Sequence, residues 1–176
     1  MPRIDFVDEN DCGAPETVAA IRARRRGGQL IALDRMLLHA PPFAAGWSAL
    51  LKAVRGELTL PARLRELAIC TIAVLNGAEY EFAQHAPEFL AAGGTEAELA
   101  ALRGIDAGIP ASFGETDSAV LGVTLEMTRQ VAVTDETFAA ARRLLGNDRL
   151  MVELVGTIAT YNMVSRFLAA LEIEPD

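Results

Sequence analysis

The sequence predicts an all-α fold for a chain of 176 residues. Three observations favour this fold: apolar residues recur at helical intervals, proline and glycine divide the chain into segments of helix length, and alternating runs typical of strands are short. Hydrophobic residues make up 51% of the chain, which is enough for one sizeable core. We therefore expect a single domain over residues 1–176, with residues 1–29 as an N-terminal extension that packs on the rest.

Proline and glycine bound the first three predicted helices. The segment Pro15–Arg26 ends at a glycine pair and has arginines in its last turns, as suits the carboxyl end of a helix. The next segment, Leu30–Ala40, ends at two prolines, which a helix interior does not tolerate. The third, Pro42–Arg55, has apolar residues along one side and ends at Gly56. We expect three short helices here.

The middle of the chain predicts a buried helix that is interrupted and then followed by two more. Pro61 suits a helix start, and the apolar pattern after it continues to Leu75, before the Asn76-Gly77 interruption. A helix over Glu79–Ala92 follows and ends at two glycines. A short helix over Thr95–Leu102 then begins with capping-box spacing.

A loop over residues 104–114 precedes the last three predicted helices. It contains glycine and proline, and we expect it to cross the surface between two halves of the fold. The helices that follow are predicted at Asp117–Val131, Thr134–Gly146 and Arg149–Leu171. The last of these is almost continuously apolar, so we expect it to be central.

Charge and cysteine content exclude several classes of protein. The 24 acidic residues outnumber the 16 basic ones, and the net charge of −8 disfavours nucleic acid as a partner. No stretch approaches the roughly 18 uninterrupted apolar residues of a membrane span, and the acidic N-terminus lacks the apolar core of a signal peptide. Two cysteines, Cys12 and Cys70, are too few for a disulfide framework. We expect Cys12 to be an incidental loop residue and Cys70 to fill space in the core. The sequence thus predicts a cytoplasmic protein without a membrane partner.

The densest group of chemically active side chains consists of Glu66, Tyr80, Glu81 and His85. Glu81 and His85 are four residues apart, so a helix places them on one face, where a carboxylate would favour the protonated imidazolium. Glu66 lies in the preceding apolar helix. These groups predict a general acid/base site. The alternative is an exposed Glu–His pair with an exposed Glu66 that pairs with a neighbouring arginine.

Several motifs of this region resemble the carboxymuconolactone decarboxylase family, to which the AhpD-type alkylhydroperoxidases also belong. In the family's order and spacing they are Arg65-Glu66-Leu67, Asn76-Gly77, Tyr80-Glu81-Phe82, His85, and a glycine before an acidic helix start. The resemblance extends from about Leu30 to Leu171 and includes His39, Pro42, Trp47 and the Tyr161–Arg166 segment. It implies an AhpD-like domain of about eight helices that forms homo-oligomers (trimers, hexamers or dimers), with the site near subunit contacts.

The sequence departs from the family's peroxidase branch at the redox cysteines. That branch has a glutamate, a Cys-x-x-Cys pair and a histidine four residues after the second cysteine. Here Glu66 and His85 hold the outer positions, but Ala78 and Glu81 hold the cysteine positions. Peroxide reduction needs one thiol to attack and a second to resolve the sulfenic acid. An AhpD-type peroxidase is therefore the disfavoured alternative.

The resemblance then implies a carboxy-lyase that needs no cofactor and no metal. The reaction that names the family removes carbon dioxide from a carboxylated unsaturated lactone in aromatic-compound breakdown. The dienolate that remains must receive a proton. The resemblance implies His85 as proton donor, Glu66 as the group that orients it, and Glu81 as a second acid/base. The expected substrate is a small organic acid or lactone.

The expected substrate-binding residues are Tyr80, Arg166 and Trp47. Tyr80 would donate a hydrogen bond to the enolate, Trp47 would provide an apolar wall, and Arg166 would bind a carboxylate, a role also open to Arg63 or Arg65. Two other interpretations stay open. The two glutamates and the histidine suit a divalent metal ion, and the chain suits a non-catalytic oligomeric binding module.

Overall fold

The computed structural model describes residues 1–8, 10 and 12–174, and all the regular structure in these residues is helical. The all-α prediction is therefore confirmed. A short 3₁₀ turn lies in each of two connections, at Arg26–Gly28 and at Ile105–Ala107, the latter in the predicted 104–114 loop. The α-helices of the described residues are α1 (Pro15–Arg24), α2 (Ala32–Leu37), α3 (Pro41–Gly56), α4 (Ala62–Leu75), α5 (Glu79–Ala91), α6 (Glu96–Leu102), α7 (Glu115–Gln130), α8 (Asp135–Leu145) and α9 (Asp148–Leu171).

The chain divides into two compact units. The first comprises Met1–Leu58 and the chain from Ala170 onward, and the second comprises Thr59–Ala169. In the first unit, α3 packs against α1 and α2. The expectation of one domain with an N-terminal extension over residues 1–29 stays a prediction.

The start of α2 lies two residues later than predicted, and Asp34 explains the difference. The Asp34 carboxylate accepts a hydrogen bond from the backbone N–H of Ile31 at 3.1 Å and two from the Arg25 guanidinium at 2.7 and 2.6 Å. These bonds hold the residues before Ala32 in an extended conformation, so the helix begins only there. Asp34 is almost fully buried, and its role at the start of α2 is not visible in the apolar pattern from which the helix was predicted.

The second unit is built around α4. This helix packs against α5, α6 and α7, and α8 packs on α7. Buried amide groups attach α9 to these helices: Asn162 Nδ2 donates to Thr128 Oγ1 at 3.0 Å, and Asn76 Nδ2 donates to Ser165 Oγ at 2.7 Å. The end of α4 is thereby fixed in place by paired polar groups, which are costly to separate in a core.

Among the described helices, one, α9, is long and apolar enough to span a membrane by length and composition. Half of its apolar window is buried inside the protein. The core helix of a soluble protein passes the same test, so this is weak evidence for a membrane span.

Candidate functional site

The turn between α4 and α5 brings their side chains together. The helix α4 ends at Leu75 with Asn76 as its C-cap, and Gly77 adopts a left-handed conformation with φ of 64° that other residues adopt only with strain. The N–H of Ala78 then donates to the carbonyl oxygen of Ala73 at 2.8 Å and closes the turn. As a result α5 returns against α4, and its buried face meets the buried face of that helix.

His85 and Glu66 form a buried pair across these two helices. Nδ1 of His85 lies 2.6 Å from Oε2 of Glu66, and the two residues are 5% and 3% exposed. An ionised carboxylate only accepts hydrogen bonds, so in this pair Nδ1 of His85 carries the hydrogen. The alternative of an exposed Glu–His pair with an exposed Glu66 is wrong.

Arg65 supports the negative charge of Glu66 on its other oxygen. Nε of Arg65 donates to Oε1 of Glu66 at 3.0 Å. Burial would raise the pKa of the Glu66 carboxyl, but the hydrogen bonds and positive charges of His85 and Arg65 outweigh burial and lower this pKa below its ordinary value. Glu66 is therefore the ionised carboxylate of the site.

Glu81 has the opposite environment. It is 2% exposed, and neither of its carboxyl oxygens has a hydrogen-bond partner in the described residues. Burial raises the pKa of Glu81 well above its ordinary value, so this carboxyl favours its protonated form. The hydrogen bond between Glu81 and His85 suggested by their spacing is not made, because Nδ1 of His85 is directed to Glu66 instead.

Cys70 lies on α4, one helical turn after Glu66, in the same buried region. Its pKa is raised to about 12, first by burial and then by the charges of Glu66 and Glu81. A thiol with such a pKa is almost entirely protonated near neutral pH and is a poor nucleophile.

Tyr161 of α9 is a neighbour of the site that the sequence reasoning did not select. Its ring meets the His85 ring edge-on, with 5.0 Å between the ring centroids and an interplanar angle of 88°. Tyr161 is 1% exposed, so it restricts rotation of the imidazole. The sequence could have indicated Tyr161 through the Tyr161–Arg166 segment, which is part of the family resemblance.

The remaining predicted residues occupy different places. Tyr80 is buried on α5, whereas Arg166 is exposed on α9 and donates to the carbonyl oxygen of Asn162 in its own helix at 3.4 Å. Trp47 is buried in the first unit, where its ring meets that of Phe43 edge-on at 5.6 Å. The substrate-binding roles of these residues stay predictions. Over the described ranges, no group of three or more His, Cys, Asp or Glu residues is placed to hold a metal ion.

The segment that carries the candidate site is similar to a known protein family. Residues 41–126, which include α4, α5 and the Glu66–His85 pair, match the model of the carboxymuconolactone decarboxylase family. No curated protein matches the chain. This match covers just under half of the chain and agrees with the resemblance seen in the sequence, and the chain has no Cys-x-x-Cys pair.

Solved structures with the same fold have low sequence identity to the chain. A peroxidase-related protein from Silicibacter sp. TM1040 is 15% identical, with a TM-score of 0.78 over 99% of this chain and 94% of that one. A peroxidase-related protein with an AhpD core from Ralstonia eutropha JMP134 is 15% identical, with a TM-score of 0.78 over 99% and 92%. A cysteine-to-alanine variant of the debrominase Bmp8 in complex with 2,3,4-tribromopyrrole is 14% identical, with a TM-score of 0.78 over 100% and 94%. Such identities show a shared fold alone.

Proposed function

We propose that this protein is a cytoplasmic, homo-oligomeric lyase that removes carbon dioxide from, or transfers a proton on, a small organic acid or lactone without a cofactor. One observation carries the proposal: two buried carboxyl groups on the neighbouring helices α4 and α5 have opposite surroundings. Glu66 has His85 and Arg65 on its two oxygens, which lower its pKa, whereas Glu81 has no hydrogen-bond partner in the described residues and burial raises its pKa. Environments that separate the pKa values of neighbouring acids are typical of general acid/base sites.

The chemistry assigns a role to each group. In a decarboxylation, the C–C bond to the departing carboxylate breaks, its electron pair enters the conjugated lactone as a dienolate, and carbon dioxide leaves. His85, oriented through Nδ1 by Glu66, would protonate the dienolate from Nε2. Glu81, the second acid/base, would give its proton to the dienolate oxygen and take it back as His85 protonates the carbon, so the reaction consumes one proton in all. Solvent would restore that proton to His85 after the product leaves.

Thiol chemistry is the weaker assignment. Two of the similar structures are described as peroxidase-related, and the third is a debrominase variant with a cysteine replaced. In this chain, Ala78 and Glu81 stand at the family's cysteine positions, and Cys70 has a pKa of about 12. The complex of the debrominase with a small halogenated heterocycle supports a small cyclic substrate for the fold.

The test is carbon dioxide release from carboxymuconolactone by the unchanged protein and by the variants His85→Ala and Glu81→Gln. Loss of a general acid typically lowers the rate by about 100-fold or more, so we expect at least that loss in kcat for each variant. Glu79→Gln is the matched control, because Glu79 is an exposed glutamate on the same helix and pairs with Arg103. We expect this control to keep its turnover.

Two results would contradict the proposal. One is turnover that survives in both site variants, because the site would then not perform the reaction. The other is peroxide consumption that a Cys70→Ala substitution abolishes, because the protein would then be a thiol peroxidase. If the unchanged protein turns over none of a panel of unsaturated lactone acids, the non-catalytic binding module becomes the better description.

A further inference from the structure

Arg65 presents an unused hydrogen-bonding edge beside the Glu66–His85 pair. The Arg65 side chain is 16% exposed. Within the described residues it makes one hydrogen bond, in which Nε donates to Oε1 of Glu66. The two terminal nitrogens, Nη1 and Nη2, therefore have no acceptor in that part of the chain. A guanidinium presents these two nitrogens as one planar edge, which matches the two oxygens of a carboxylate.

The other candidate arginines are engaged elsewhere. Arg63 pairs with both Glu98 and Asp117. Arg166 is exposed and donates to a carbonyl oxygen of its own helix. Of the three arginines considered as carboxylate ligands, Arg65 is the one that contacts Glu66 of the acid/base pair while its terminal nitrogens have no acceptor in the described residues.

We propose that Arg65 binds a carboxylate group of the substrate, which makes the substrate of this site a small carboxylate anion. This inference rests on the proposed function, because it concerns the substrate of the same site. The bound carboxylate is one that the reaction retains. An ion pair stabilises the carboxylate in the ground state, whereas a departing carboxylate must lose its charge as the C–C bond breaks. A substrate that loses carbon dioxide here therefore has a second carboxyl group.

The experiment compares the binding of an acid with that of its ester. Muconolactone lacks the carboxyl group that would be lost but keeps the other one, and its methyl ester removes the remaining charge. Calorimetry on the unchanged protein should show tighter binding of the acid. In Arg65→Gln we expect the affinity for the acid to fall about tenfold or more, since charge-assisted bidentate bonds are strong, and the affinity for the ester to change little.

Two further variants complete the design. Arg65→Lys keeps the charge but loses the planar edge, so we expect an intermediate loss, and it serves as the test if Arg65→Gln does not fold. Arg143→Gln is the matched control, because Arg143 is an exposed arginine on α8. We expect this control to bind acid and ester as the unchanged protein does.

Equal weakening of acid and ester in Arg65→Gln would overturn the inference, because Arg65 would then only position Glu66. The inference also fails if the unchanged protein prefers none of a panel of unsaturated lactone acids to their esters. Carbon dioxide release separates the two proposals. If the Arg65→Gln variant releases carbon dioxide as fast as the unchanged protein, the inference is overturned and the proposed function stays in place. An acid preference that depends on Arg65 without any turnover supports the inference and overturns decarboxylation.

Discussion

Glu66 and Glu81 are two buried glutamates of one site with opposite requirements for charge. Glu66 has a positive partner on each carboxyl oxygen, whereas Glu81 has no hydrogen-bond partner in the described residues. A buried carboxyl without partners is most stable when it is neutral, because desolvation of its charged form is costly. The two residues therefore contribute to stability in different pH ranges.

Glu81 should make the protein less stable as the pH rises. Its folded-state pKa lies well above the ordinary value of 4.5, so its contribution is fully present below pH 4.5 and is lost as the pH rises toward the folded-state pKa. In that range the free energy of unfolding should fall by up to about 1.4 kcal/mol per pH unit from this residue. Glu81→Gln should remove the decline, which urea unfolding at several pH values would measure. Parallel pH profiles for both proteins would show that this carboxyl is not perturbed.

The sequence predicted the residues of the site better than their contacts. The spacing of Glu81 and His85 placed them on one face of a helix, and both are buried on α5. The hydrogen bond that His85 makes depends instead on how α5 packs against α4, which local spacing does not encode. The contact between Tyr161 and His85 was missed for the same reason, because it joins helices that are far apart in the chain.

At the scale of helices, the turn after α5 depends on a residue without a side chain. A Cβ atom added to Gly94 would lie 2.2 Å from Cε1 of Phe89, and Phe89 is fully buried. Since close-packed cores leave little room for a ring to move, the substitution must displace Phe89 or the turn itself. The start of α6 then follows directly, with Thr95 as its N-cap.

Gly94→Ala should therefore destabilise the protein by about 1–3 kcal/mol, the usual cost of overpacking a core. Gly156→Ala is the matched control. Gly156 lies inside α9, and apart from the backbone of its own helix no atom of the described residues lies within 4 Å of an added Cβ, so this substitution should be neutral or stabilise by up to about 1 kcal/mol. Thermal unfolding of both variants measures the difference. Equal melting temperatures for the two variants would show that Phe89 and the turn adjust without cost.

Most helix ends were predictable because glycine, proline and capping residues mark them directly. The predicted capping box at Thr95 and Glu98 is present, and Thr95 Oγ1 accepts the N–H of Glu98 at 3.2 Å. The exception is α2, where the bond between Arg25 and Asp34 changes the boundary. That bond joins two residues nine positions apart, and no propensity rule covers it.

At the scale of the whole molecule, the same fold serves different chemistry. Structures with 14–15% identity to the chain and a TM-score of 0.78 include peroxidase-related proteins and a debrominase. A shared fold does not fix a reaction, so the residues at the site must decide. The resemblance to the peroxidase branch places Ala78 and Glu81 at the positions of its cysteines, so we expect these two residues to distinguish this chain from that branch.

The two thiols of the chain should differ in reactivity. Cys70 is fully buried with a pKa of about 12, whereas Cys12 is half-buried. With a coloured disulfide reagent at neutral pH, we expect Cys70 to stay unmodified in the folded protein and to react once the protein is unfolded. Cys70→Ala provides the control, because it should remove only the signal that appears on unfolding. Fast modification of Cys70 in the folded protein would support a redox role.

The central claim is that Glu81 holds a proton at neutral pH beside an ionised Glu66. Infrared spectroscopy tests it most directly, because a protonated carboxylic acid has a carbonyl stretching band that a carboxylate lacks. We predict such a band at neutral pH, with a shift in deuterated water and a loss in Glu81→Gln but not in Glu79→Gln. The absence of the band, or its full persistence in Glu81→Gln, would show that the band does not report a protonated Glu81 and would contradict the acid/base account of this site.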